Sequence, residues 1–140
     1  MNIDIEFEGV ENLILRLNKM SDTAALEKSL EAATLLVERS AKQKAPKDTG
    51  ALRRSITSKV EGLEGIIYTP LEYAPYIEYG TGLFAEKGNG RKEVPWNYQD
   101  DEGKWHSTSG LKPQPFMRPS LDENRQKIVD TLKEGVMNDG

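Results

Sequence analysis

The chain has 140 residues, the size of one domain, and its 36% hydrophobic and 30% charged content is polar enough that a broad solvated surface or an extended loop must carry the excess. A formal net charge of -4 disfavours nucleic acid as a bulk electrostatic partner. The absence of cysteine excludes disulfides and thiol chemistry, and no apolar run approaches the roughly 20 residues that a membrane-spanning helix needs.

Ile3, Ile5 and Phe7 alternate with Asp4, Glu6 and Glu8, which predicts a strand over 2–8 and argues against a secretion signal. Gly9 ends it. Val10, Leu13, Ile14, Leu17 and Met20 then fall at helical spacing, and Ser21 or Asp22 offers a cap for the next element. From about residue 23 to 45 there is no proline or glycine. Leu26, Leu30, Ala33, Val37 and Ala41 make one stripe there, so a long helix is predicted, stopped by Pro46.

Two β-branched runs follow. Ile56, Ser58 and Val60 share one face of a strand at 55–61, and Ile66, Ile67 and Tyr68 mark a second at 66–70, with a turn at Gly62-Leu63-Glu64-Gly65 between them. Glycines then punctuate residues 80–114, which read as a long flexible loop. Within it Trp96-Asn97-Tyr98-Gln99 and Lys104-Trp105-His106 flank an acidic turn, predicting a small hairpin at 95–107 with Tyr98 across from Trp105. A helix from about 119 to 136 closes the chain, with Leu121, Ile128, Leu132 and Val136 as its stripe. Its start is either Pro119 at the first helical position or a capping box of Ser120 and Glu123. The expected class is α+β: one domain over 1–140, with the long helix and the C-terminal helix packed on a small, mainly antiparallel sheet.

Little in this pattern points to catalysis, and no cofactor is expected. His106 is the sole histidine, so a histidine–cysteine metal site is impossible. Asp100, Asp101 and Glu102 are consecutive, whereas calcium loops space their acids at alternate positions; a solvated turn is the simpler reading. No serine lies in a nucleophile elbow. The glycines at 80–82 and 88–90 do not form a phosphate loop and read as sites of flexibility. Charge is uneven, with seven basic residues (Arg39, Lys42, Lys44, Lys47, Arg53, Arg54, Lys59) against two acidic ones between 38 and 59. The segment is either a solvated helix end or a patch for a partner.

Three motifs carry the most information. In Ala45-Pro46-Lys47-Asp48-Thr49-Gly50-Ala51-Leu52-Arg53-Arg54-Ser55-Ile56, Pro46, Asp48, Thr49 and Gly50 suit a corner, while Arg53 and Arg54 exceed what a corner requires and are candidates for partner contact. In Tyr73-Ala74-Pro75-Tyr76-Ile77-Glu78-Tyr79-Gly80-Thr81, Glu78 is embedded among apolar residues and needs a partner if buried; Arg53 and Arg54 are the obvious choices. Tyr73, Tyr76 and Tyr79 read first as core, with an interface as the alternative. In Gln114-Pro115-Phe116-Met117-Arg118-Pro119-Ser120-Leu121, Pro115 and Pro119 frame Phe116 as an anchor. Trp96 and Trp105 join the candidate interface residues.

In order and content these motifs resemble the head–tail joining, or tail-completion, proteins of long-tailed bacteriophages and prophages, from about the first long helix to the last. The resemblance implies a non-enzymatic virion protein of the neck or tail, present in the host cytoplasm during assembly. It further implies neighbours among other neck and tail proteins, an oligomeric ring commonly sixfold in the particle, a free subunit that can be monomeric, and no membrane or specific nucleic-acid partner. Family descriptions overlap with tail terminators, which leaves that role open. The alternative from the residues is a nucleic-acid-binding regulator using Arg39, Lys42, Lys44, Arg53 and Arg54.

Overall fold

A computed structural model describes residues 3–6, 11–20, 23–47, 50–86, 90–100 and 102–138. Several predicted features, at Phe7, Gly9, Val10, Ser21, Asp22, Asp48, Thr49, Gly88 and Asp101, lie outside the described residues. The elements in chain order are β1 (Ile3–Glu6), α1 (Glu11–Met20), α2 (Thr23–Lys44), α3 (Ala51–Ser55), β2 (Thr57–Glu61), β3 (Glu64–Thr69), α4 (Ala74–Tyr79), a single 3-10 turn (Gly82–Phe84), β4 (Trp96–Gln99), β5 (Trp105–Thr108), α5 (Met117–Asp122) and α6 (Arg125–Asn138). The class is α+β.

The long helix α2 is the spine. Ala25, Leu26, Ser29, Leu30, Ala33, Thr34, Val37 and Ala41 are buried along it, a band too wide for one contact. It packs on β2 and β3, on α5, and most extensively on α6. The C-terminal helix therefore docks on α2, and α2 in turn covers the sheet. The two polar residues in the band are satisfied locally, because Ser29 Oγ donates to Ala25 O (3.1 Å) and Thr34 Oγ1 to Leu30 O (2.6 Å). Gly135 of α6 faces Ser29 so closely that a Cβ there would stand 2.8 Å from Ser29 Cβ.

The sheet has the order β1-β3-β2, antiparallel throughout, with β3 central. Only one face of β3 is buried, carrying Gly65, Ile67 and Thr69; Ile66 and Tyr68 lie on the other face, half-buried. The corner before β2 differs from the sequence expectation. Residues 51–55 form a helical turn, which begins after Gly50 in the left-handed region (φ 73) and is closed by Arg54 N–H on Gly50 O at 3.0 Å. One turn is too short to register as helical periodicity. Ser55 Oγ donates to Leu52 O (2.6 Å), so its contact with the buried Thr69 Oγ1 (2.6 Å) has Thr69 as the donor. That hydroxyl chain ties α3 to the end of β3.

The predicted last helix is two helices. It starts at Met117, before either anticipated cap, and breaks at residues 123–124. Asn124 is buried at the break, where its Nδ2 donates to Ser120 O (2.7 Å) and to Ser40 Oγ of α2 (3.0 Å). Lys44 at the end of α2 pairs with Glu123 at 2.7 Å. No helix among the described residues is long and apolar enough to cross a membrane.

Candidate interaction site

The second and third motifs meet, and the contact is built around Glu78. In α4, Ala74 and Glu78 form the buried side, both at 0% exposure, while Tyr73 and Tyr76 are 41% and 54% exposed. Core packing is therefore not the role of those two tyrosines. The chain at 114–118 lies against the buried side, beginning with Gln114 N–H on Ile77 O at 2.8 Å. Phe116 and Met117, both fully buried, anchor it.

The first amides of α5 have no internal acceptor, and the residue preceding the helix is Phe116, which has no capping group. Glu78 supplies the cap from 38 residues away. Its Oε1 accepts from the backbone N–H of Phe116 (3.0 Å) and Met117 (2.8 Å), and its Oε2 accepts from Arg118 N–H (3.3 Å) and Arg118 Nε (2.8 Å). A carboxylate at a helix start also opposes the positive end of the helix dipole. Arg118 extends the contact outward. Its Nη2 donates to Glu78 O (3.0 Å), and Nη1 and Nη2 form a fork on Glu86 at 2.9 and 3.2 Å. The guanidinium carbon sits 4.6 Å from the centre of the Tyr79 ring. The fork with Glu86, and then the bond to Glu78, hold the Arg118 charge well above its already high ordinary range.

This corrects the pairing expected for Glu78. Arg53 and Arg54 sit on α3 and take no part in it, and Arg118, given no role in the sequence reading, is the partner. The signal was present: each of the two is the lone charge within an otherwise apolar run, and two such misfits are natural partners.

The segment after α4 is ordered by close backbone approach. Thr81 N–H donates to Leu111 O (2.9 Å) and Leu83 N–H to Ser109 O (3.0 Å), while Thr81 Oγ1 accepts from Leu111 N–H (2.8 Å). A Cβ on Gly82 or Gly110 would strike the opposing backbone, within 2.9 Å of Ser109 C or Thr81 C respectively. These glycines serve contact between two strands of chain, a reason other than flexibility. An open groove of about 590 Å³ lies beside them, walled by Pro75, Tyr76, Tyr79, Ala85, Arg91 and Trp96. Arg91 lies over Trp96 at 5.1 Å.

The hairpin β4–β5 projects from this groove. Its register is Trp96↔Thr108, Asn97↔Ser107, Tyr98↔His106 and Gln99↔Trp105, one residue from the expected pairing, so Tyr98 stacks on His106 (5.2 Å) and not on Trp105. Asp100 organises the turn. Its Oδ1 accepts from Glu102 and Lys104 N–H (3.0 and 2.8 Å), and its Oδ2 is 2.6 Å from His106 Nε2. Those contacts, His106 first, hold the Asp100 carboxyl below its usual range.

Of the expected interface residues, Tyr76, Tyr79 and Trp96 converge on the groove with Glu78 beneath. Tyr73 stands exposed just before α4, and Trp105 lies on the far side of the hairpin. Arg54 is exposed; Arg53 is half-buried, with Nε and Nη2 shut off from solvent and without a hydrogen-bond partner. Pro46 follows α2 and is half-buried, Pro115 is exposed, and Pro119 is the third residue of α5. The basic segment is partly neutralised, by Lys44 on Glu123 and by Lys59 on Glu61 at 2.9 Å.

No curated protein and no solved structure matches the chain significantly. Residues 11–80, half of the chain, match the family model described as "Bacteriophage HK97-gp10, putative tail-component". The match spans α1 to α4 and ends two residues past Glu78, so the third motif lies beyond it. The chain belongs to the HK97-gp10-like family of bacteriophage tail components.

Proposed function

We propose that this tail component is a ring-forming subunit of the neck or tail end, joining the head connector to the tail or completing the tail, with other neck and tail proteins as its neighbours. What carries the reading beyond family membership is the surface of the fold. Tyr73, Tyr76 and Trp105 are 41–65% exposed on a polar chain, and aromatic residues of this kind are enriched where proteins meet. Arg53 adds to it, because two buried donors without acceptors are costly in an isolated subunit. Turning the guanidinium outward to a neighbour's carboxylate would satisfy them. The site of action is the virion, after assembly in the host cytoplasm.

The test is genetic. Disruption of the gene in its phage or prophage should leave heads and tails that fail to combine, or tails of abnormal length, and labelled protein should map to the neck or tail end by electron microscopy. Complementation with Arg54→Glu should fail although the urea midpoint of the purified variant is unchanged. Infectious particles formed without the protein would refute the reading. Arg53→Glu is a poorer probe, because it also alters a half-buried side chain.

A further inference from the structure

The β4–β5 hairpin has two unlike faces. Side chains alternate along a strand, so the register puts Trp96, Tyr98, His106 and Thr108 on one face and Asn97, Gln99, Trp105 and Ser107 on the other. Three of the first four are half-buried, and Trp96 lines the groove beside α4. All four of the second set are exposed, and Trp105, at 65%, is the most exposed large apolar side chain among the described residues. Trp105 also pairs with Gln99, three residues along β4 from Trp96, a distance of about 10 Å at ~3.3 Å per residue. It points away from its own groove and cannot fill it.

We propose that Trp105 of one copy seats in the groove of the next. Tyr76, Tyr79 and Trp96 offer ring surfaces to an indole, and a volume of about 590 Å³ accommodates it together with flanking residues. Charge agrees with this choice of occupant. The sequence leading into Trp105, Asp100-Asp101-Glu102-Gly103-Lys104, is net acidic even with Lys104 counted, whereas the groove wall carries Arg91, so the copies approach with opposite local charge. A knob and a socket on opposite sides of one hairpin cannot form a two-fold contact, in which both copies use the same patch. They make a head-to-tail contact, which adds copies in one direction and closes into a ring when the rotation permits. The inference rests on the ring-forming reading above and specifies the contact it uses.

Because the chain has no cysteine, introduced thiols are the only ones present. Ala85→Cys places one in the groove wall, and Ser107→Cys places one on the face of Trp105, two residues away. When the two single variants are mixed at high concentration, a short bismaleimide should give a covalent dimer. The yield should fall at least about tenfold, as for an interface hot spot, when the Ser107→Cys copy also carries Trp105→Ala. Ala85→Trp, which fills the socket and keeps the knob, should likewise abolish concentration-dependent association in sedimentation equilibrium. Absence of the 85–107 dimer, or a dimer indifferent to Trp105→Ala, overturns the inference. The ring-forming role is judged separately: protein found at the neck without an 85–107 cross-link sinks the knob-and-socket contact alone, and a cross-link from protein missing from particles sinks the role alone.

Discussion

Glu78 is a residue whose surroundings decide its worth. Alone and buried, a carboxylate is strongly disfavoured; here four hydrogen bonds, three of them from otherwise unsatisfied backbone amides at Phe116 and the first two residues of α5, offset the desolvation. Glu78→Ala removes the cap and strands those amides, so a loss of about 3–5 kcal/mol in urea unfolding is expected, a large part of a typical domain's stability. Arg118→Ala should cost less, since three backbone donors remain on Glu78; an equal or larger loss would contradict the capping account. Asp100 gives a pH dependence with a definite sign. Its folded carboxyl titrates below the usual value near 4, so the hairpin is fully supported above about pH 4 and loses that support as pH falls through the lower, folded value. Ring-current shifts of Tyr98 against His106, followed by NMR from pH 6 to 2, should report opening at the acid end. Asp100→Asn should remove that step, and an unchanged profile in this variant would assign the transition elsewhere.

Among the elements, the α2–α6 contact gives the clearest test. Glycine inside a helix ordinarily costs about 1 kcal/mol relative to alanine, so Gly135→Ala on an open surface would stabilise. Here the added methyl meets Ser29 Cβ at 2.8 Å, and overpacking of a close helix crossing costs typically 1–3 kcal/mol. A net loss of about 1–2 kcal/mol is expected by thermal or urea unfolding, recovered in part by Ser29→Gly. Stabilisation by Gly135→Ala alone would show that the helices can separate freely. The same scale shows what the sequence makes visible. The helix α2 announces itself because nothing between residues 23 and 45 interrupts an apolar stripe. The turn α3 does not, since five residues cannot display a 3.6-residue period. The break at 123–124 was equally hidden, because Asn124 owes its position to Ser40, 84 residues away. The hairpin was legible as a hairpin but not in register, where a shift of one residue changes every partner.

For the molecule as a whole, class and family were readable, and the joining of motifs was not. Pro46, just after α2, and Gly50, in the left-handed region before α3, act locally and leave local traces in the sequence. Glu78 and Arg118 act through space, and only their oddity as lone charges in apolar runs hinted at it. The geometry around them separates a spine, made of α2 with the sheet and α6, from a projecting hairpin whose two ends are fastened together. Ile77 holds Gln114, Thr81 holds Leu111, and Glu78 with Glu86 holds Arg118. With the base of the hairpin pinned in this way, the residues between 90 and 109 are a closed loop, whose length is cheap to change: each doubling adds only about 0.6 kcal/mol of closure entropy. The scaffold can therefore take a longer, shorter or differently charged hairpin while the core stays untouched, so this part of the surface can change without refolding the rest.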